Sequence, residues 1–224
     1  MRISLSILLL GLSFQTLSAA EPLVASPNEE ATSAAIIREM NLARQNPALY
    51  ATFVDELRPY FRENILVVPG RTMCRTKEGV RAIDEAARFL RGARPQQALN
   101  LSPGMCRAAA DHCADQANGR LGHGGSDWSN PGGRISRYGR WSIGWGENIA
   151  YGQRSARDIV LALIIDDGVR GRGHRKNIFN SSFAFAGAAV GTHAVYRTVC
   201  SIDFAGGFIE RGQSASEPLF ARNF

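Results

Sequence analysis

Lysine is nearly missing from this chain: of 26 basic residues, only Lys77 and Lys176 are lysines. The rest are arginines, spread along the sequence rather than gathered into runs. That scatter argues against nucleic acid as a partner, because such binding needs a basic patch or stripe. Beyond the first twenty residues, no stretch is apolar enough to span a bilayer, so the chain is not expected to be transmembrane. His-Glu-x-x-His and Gly-x-Ser-x-Gly are absent, which removes the helix-borne zinc protease site and the serine nucleophile elbow. Internal repeats and low-complexity tracts are absent as well.

The amino-terminal residues carry an address. Arg2, the apolar run from Ile3 to Phe14 and the small-residue ending Leu17-Ser18-Ala19-Ala20 read as a signal peptide over residues 1–20. No cysteine follows the apolar run, so a lipid anchor at that place is not expected. The mature chain should begin near Glu21 and be secreted or periplasmic. Residues 21–33, rich in Pro, Glu, Ser and Ala, read as a linker, and residues 208–224 as a tail without periodicity. Residues 34–207 suffice for a single well-buried domain. A formal charge of +6 on an exported protein favours anionic envelope polymers or lipid head groups as partners.

Helix signals are clear in the middle of the chain. Ser102-Pro103 supplies a hydroxyl cap and a first-turn proline, followed by a small-residue stripe of Cys106, Ala109, Ala110, Cys113 and Ala117. Ser155 and Asp158 have capping-box spacing ahead of Ile159 to Ile165, a helix apolar nearly all round. Val80, Ile83, Ala87 and Leu90 predict an amphipathic helix that ends at Gly92. Phe185 to Gly191 and Val195 to Phe204 predict an antiparallel hairpin around His193. Helices around a small antiparallel sheet make the fold class α+β.

Four cysteines in an exported chain are expected to form disulfides. Cys106 and Cys113 lie seven residues apart on one helix, about 10 Å by the helical rise, beyond the roughly 7 Å a disulfide tolerates. Two connectivities remain: Cys74–Cys113 with Cys106–Cys200, which is slightly preferred, and Cys74–Cys106 with Cys113–Cys200.

The chemistry-bearing segments are Leu121-Gly122-His123-Gly124, Gly146-Glu147-Asn148-Ile149-Ala150, and Gly173-His174-Arg175-Lys176-Asn177-Ile178. Glycines beside charged residues let a backbone pass close to a ligand. These runs, with Ala110-Asp111-His112-Cys113 upstream, Ile36 to Arg44 near the start and Tyr196…Cys200-Ser201-Ile202-Asp203-Phe204-Ala205 at the end, resemble the CAP superfamily. That superfamily comprises cysteine-rich secretory proteins, antigen-five allergens and plant pathogenesis-related proteins. The resemblance covers about residues 31–207 and implies a three-layer α-β-α sandwich with a small antiparallel sheet. Residues 55–100 are an extra helical segment that a minimal member lacks. The resemblance also implies a cleft of two histidines and two acids. His123, Glu147 and His174 match three positions; Asp166 best fills the fourth and Asp167 is second choice, with Leu163 where the family's tryptophan would precede the acid.

His123 and His174 are therefore the expected metal ligands, for a divalent ion such as Zn²⁺, with Glu147 and Asp166 as orienters. Asp166 and Asp167 also close a helix whose carboxyl end disfavours acids, so Arg170, Arg172 and Arg175 are candidate counter-ions. His112 is expected to be packed or half exposed, and His193 to lie on the surface. Arg134, Arg137 and Arg140, interleaved with Tyr138, Trp141 and Trp145, suggest a cation–aromatic wall. Three functions fit: a metal- and ligand-binding domain, a metal-assisted hydrolase of peptide or envelope material, and an interaction module with an inactive cleft.

Overall fold

Strand β7 (Arg197–Glu210) runs down the middle of the main sheet and sorts the core by alternation. It pairs antiparallel with β6 (Phe185–His193) on one side and with β5 (Gly139–Tyr151) on the other, and the two-residue β4 (Asn100–Leu101) adds in parallel beside β6. The order is β4-β6-β7-β5, so β5 is an edge strand. The computed structural model describes residues 31–71 and 73–212. The expected signal peptide, residues 21–30 of the linker and residues 213–224 of the tail lie outside the described residues.

Cys200, Ile202 and Phe204 point to one face, where α1 (Ser33–Gln45), α2 (Pro47–Asp55), α3 (Val80–Gly92) and α6 (Ala156–Ile165) enclose the larger core. Val199, Ser201, Asp203 and Ala205 point to the other, beneath α4 (Pro103–Gln116) and α5 (Pro131–Ser136). The result is the α-β-α layering that the resemblance implied. On the second face α4 lies directly on β6: a Cβ at Gly187 would run into the backbone of Met105 and Cys106. The short helix α7 (Gly173–Ile178) sits against β5. Its far end is fixed by the buried guanidinium of Arg44, which donates to the carbonyls of Ile178 (2.5 Å), Asn180 (3.1 Å) and Phe183 (3.3 Å).

The helix starts are those the sequence signals. Ser102 Oγ accepts the Met105 N–H at 3.1 Å, and Ser155 Oγ accepts the Asp158 N–H at 3.1 Å. The buried stripe of α4 is displaced from expectation. Met105, Ala108, Ala109, His112, Cys113 and Gln116 face inward, whereas Ala110 is exposed and Cys106 only half-buried. A stripe of small residues constrains helix rotation weakly, and Met105 decides it. The segment 55–100 is not wholly helical either. Beside α3 it forms a small antiparallel sheet of β1 (Phe61–Arg62), β2 (Ile65–Leu66) and β3 (Cys74–Arg75). The tail starts later than expected, since Phe208 is buried and β7 continues to Glu210. The linker ends earlier, at Thr32, whose side chain caps α1 by accepting the Ala35 N–H.

No disulfide joins the cysteines among the described residues: Cys74, Cys106, Cys113 and Cys200 are all free thiols. The sheet itself keeps two of them apart. Cys113 packs with Ile149 and Val199 on the α4 side, while Cys200 belongs to the core on the opposite face. Cys74 is exposed on β3, and the half-buried Cys106 is satisfied by the Ala188 backbone and the Ser33 hydroxyl.

Candidate functional site

Alternation along β5 builds the site. Glu147 projects to the α4–α5 side and Asn148 to the α6–α7 side, so consecutive residues serve opposite faces of the edge strand. Glu147 is not in a turn, despite the glycine before it. It lies within the thirteen-residue strand β5, paired with Asp203 of β7. A register shift between Ser142 and Trp145, with Ile143 at φ +70° and Gly144 at φ +142°, breaks the pattern just upstream.

On the first face, the His123 Nδ1–H donates to Glu147 Oε1 at 2.7 Å. Glu147 Oε2 accepts from Arg134 Nη2 at 2.7 Å and from Ser201 Oγ at 3.1 Å. Burial pushes the Glu147 carboxyl up, but the His123 hydrogen bond and the Arg134 charge outweigh it and hold it below the ordinary range. Arg134 is itself buried, and its Nη1 donates to the carbonyls of His123 and Ser129, both at 3.1 Å. One guanidinium thereby fixes both the carboxylate and the loop that carries the imidazole. Among the described residues, the expected cation–aromatic wall does not form. Arg134 is used in this ion pair, Arg137 pairs with Asp111 and Asp127, and Trp141 donates from Nε1 to Gly132 O at 3.1 Å.

The His123 loop is held from below by α4. Tyr151 Oη accepts the Gly122 N–H (3.1 Å) and donates to Gln116 Oε1 (2.7 Å), while Gln116 Nε2 donates to Gly122 O (2.7 Å). The same amide lies 2.6 Å from His112 Nε2, which also stands 2.9 Å from Gly122 O and 3.8 Å from Glu147 Oε1. His112 is packed, as expected, and burial lowers its basicity. Gly122 sits at φ +93°, a conformation that suits glycine.

On the second face, the His174 Nδ1–H donates to Asp166 Oδ1 at 2.6 Å, and the His174 backbone N–H donates to Asp166 Oδ2 at 3.0 Å. Asp166 is the acid that meets the histidine. Asp167 instead accepts the N–H groups of Lys77 (2.6 Å) and Glu78 (2.9 Å). Asp166 takes the left-handed conformation, φ +56°, as the C-cap that follows α6, a region that aspartate tolerates better than most residues. The arginines thought to neutralise it bind elsewhere. Arg175 donates from Nε to Ile164 O at 2.5 Å, and Arg172 from Nη1 to Asp166 O at 2.7 Å. They cap the carboxyl end of α6 and leave the Asp166 side chain to His174.

The two histidine–acid pairs meet at β5. Asn148 Nδ2 donates to His174 O at 3.0 Å, and Asn177 Nδ2 reaches Asn148 Oδ1 at 2.9 Å and Glu147 O at 3.3 Å. In both pairs Nδ1 is committed to a buried acid, so Nε2 is the nitrogen left for a ligand. The His123 side chain is 53% exposed and that of His174 24%. Among the described residues, no three His, Cys, Asp or Glu side chains group as a metal centre. His193 is not the surface residue expected. It is buried, its Nδ1 accepts the N–H groups of Val195 (3.2 Å) and Tyr196 (3.1 Å), and its Nε2 donates to Arg120 O at 3.1 Å.

The model of the CAP family, the cysteine-rich secretory proteins, matches residues 80–204. Among curated proteins nothing matches. Among solved structures, an extracellular protein containing an SCP domain from Bacillus anthracis is 25% identical, with a TM-score of 0.38, over 49% of this chain and 34% of that one. An outer surface protein from Borrelia burgdorferi is 12% identical, with a TM-score of 0.42, over 73% of this chain and 93% of that one. A cysteine-rich secretory protein from Staphylococcus aureus is 14% identical, with a TM-score of 0.35, over 57% and 38%. The chain thus spans about a third of the length of the Bacillus protein. Because the family model covers more than half of the chain, and the paired His–acid segments fall within it, the protein belongs to the CAP family of cysteine-rich secretory proteins.

Proposed function

We propose that this is an exported binding domain whose His123 and His174 take a divalent metal ion through Nε2, with Glu147 and Asp166 as orienting acids. The supporting observation is that both imidazoles are oriented through Nδ1 by buried carboxylates, and that consecutive residues of one strand, Glu147 and Asn148, hold the His123 ring and the His174 backbone. A carboxylate behind the ring fixes the tautomer and raises the basicity of the free nitrogen, which is how metal-binding histidines are commonly prepared. Two nitrogen donors leave the remaining positions of a Zn²⁺-sized ion to water or to a ligand, and the bound ion would polarise a carboxylate, carbonyl or phosphate placed on it.

Binding is favoured over metal-assisted hydrolysis because both acids are already engaged. Glu147 is shared among His123, Arg134 and Ser201, and Asp166 is held at both oxygens by His174. Neither carboxylate is free to take a proton from water. Export rests on the residue 1–20 pattern, and the positive charge suits an anionic envelope polymer or lipid as the ligand.

Zinc titration followed by calorimetry tests the reading. The wild-type chain should bind one ion, and His123→Ala and His174→Ala should each weaken binding at least tenfold. Protons compete for Nε2, so affinity should drop on acidification. Equal affinity across the three proteins would sink the metal site.

A further inference from the structure

Beneath Glu147 lies a second acid with no role in the pairs described above. Asp203 is fully buried, and among the described residues neither of its side-chain oxygens has a hydrogen-bond partner. It is the cross-strand partner of Glu147 and lies opposite Gly187 on its other side. Directly opposed residues share a face and bring their Cβ atoms to about 4.5–5.5 Å, so two acids occupy one dry layer. Charge is short there. Arg134 is the cation of that layer; its terminal nitrogens serve Glu147 and the carbonyls of His123 and Ser129, and its unpartnered Nε makes no hydrogen bond to Asp203. The other titratable groups around Asp203 come from α4: His112, whose basicity burial lowers, and the thiols of Cys106 and Cys113. A buried carboxylate without a counter-ion or donors is prohibitively unstable; such a group takes up a proton instead.

We propose that Asp203 is a proton-carrying positioning residue: a neutral carboxylic acid in the folded protein at neutral pH, whose proton leaves Glu147 as the single negative charge between Arg134 and His123. Burial and the neighbouring Glu147 charge both drive the Asp203 carboxyl well above its usual range, and Arg134 offsets this only in part. Ionising Asp203 would place a second negative charge beside Glu147 and compete for Arg134. The proton therefore keeps the acid behind His123 in place. The inference stands on the Glu147–Asp203–Arg134 layer alone and holds whether or not a metal binds at His123.

Two measurements on the full chain test it. Infrared spectra of protein labelled with ¹³C at the aspartate carboxyl should show, at neutral pH, a protonated-acid carbonyl band that shifts with the label and vanishes in Asp203→Asn. Unfolding by denaturant across pH should separate the two proteins. The folded wild type holds a proton that the unfolded chain releases above about pH 4. Wild-type stability therefore falls relative to Asp203→Asn by up to tenfold in the unfolding constant per pH unit above that point. A missing band, a band that survives in Asp203→Asn, or parallel stability curves would overturn the proposal. Should Asp203→Asn fail to fold, the labelled wild-type spectrum decides alone.

Discussion

Glu147 and Asn148 are neighbours on one edge strand whose side chains project to opposite faces, yet each holds one of the two histidines: Glu147 Oε1 the His123 ring, and Asn148 Nδ2 the His174 backbone carbonyl. Strand alternation makes this possible, because adjacent side chains point opposite ways. It also makes the arrangement sensitive to register. A one-residue slip of β5 would exchange the two side chains and break the Glu147–His123 and Asn148–His174 contacts together.

The buried ion pair between Arg134 and Glu147, 2.7 Å apart with neither side chain more than 2% exposed, gives the first prediction. Arg134→Met strands a charged Glu147 in the interior and should cost about 3–5 kcal/mol. Pairing it with Glu147→Gln should recover part of that loss, since the stranded charge is gone. Chemical denaturation of the two single variants and the double variant measures the coupling. A loss below about 1 kcal/mol for Arg134→Met would show that Glu147 is not held by this pair.

Much of this arrangement could be read from the chain, for identifiable reasons. Ser102-Pro103 and Ser155 announce their helices through local capping chemistry, which needs no tertiary information. His123, Glu147 and His174 stand out because glycines flank them. Strand β5 was hidden by its own composition. Glycines at 139, 144 and 146 punctuate it, a bulge breaks its alternation, and its buried centre includes Glu147 and Asn148, residues that strands usually exclude. Arg134 escaped for another reason: nothing local separates a buried arginine from an exposed one, and its partners lie in a loop and on a strand. His193 was misplaced because its neighbours are loop-like; its burial comes from Arg120 and Tyr151, both distant in sequence. Asp203 showed only as an unremarkable acid in an apolar strand.

The free thiols lead to the second prediction. Burial raises the Cys113 thiol to about 12 and drives Cys200 well above the ordinary range, so neither offers thiolate at neutral pH. A thiol reagent applied to the native protein should therefore label the exposed Cys74 first and the half-buried Cys106 more slowly. Cys113 and Cys200 should react only on unfolding. Mass mapping of labelled peptides after timed quenching reads the order. A disulfide between any two of the four, in protein purified without a reductant, would contradict the free-thiol arrangement.

The last prediction concerns acid and the loop that leads into His174. Glu78 receives both terminal nitrogens of Arg172 at 2.7 Å and the Gly168 N–H at 2.7 Å. The Arg172 hydrogen bonds come first, then the Gly168 N–H, in holding its carboxyl down at about 2, against the burial that would raise it. Glu85 grips Arg175 in the same two-pronged way, Nη1 to Oε1 and Nη2 to Oε2, both at 2.7 Å, and is lowered too. Together these acids anchor α3 to the α6–α7 connection. A depressed carboxyl contributes stability above its unfolded value, about 4.3 for glutamate, and the contribution is lost as pH falls through the folded value. The advantage of wild type over Glu78→Gln should accordingly be full at neutral pH, shrink below about pH 4, and disappear near pH 2. Glu78 is partly exposed, so added salt should also reduce the difference at neutral pH. Hydrogen exchange of the amides at 168–174, followed in both proteins across that range, provides the local readout. Protection that is the same in wild type and Glu78→Gln at neutral pH would mean that the acid does not hold this loop.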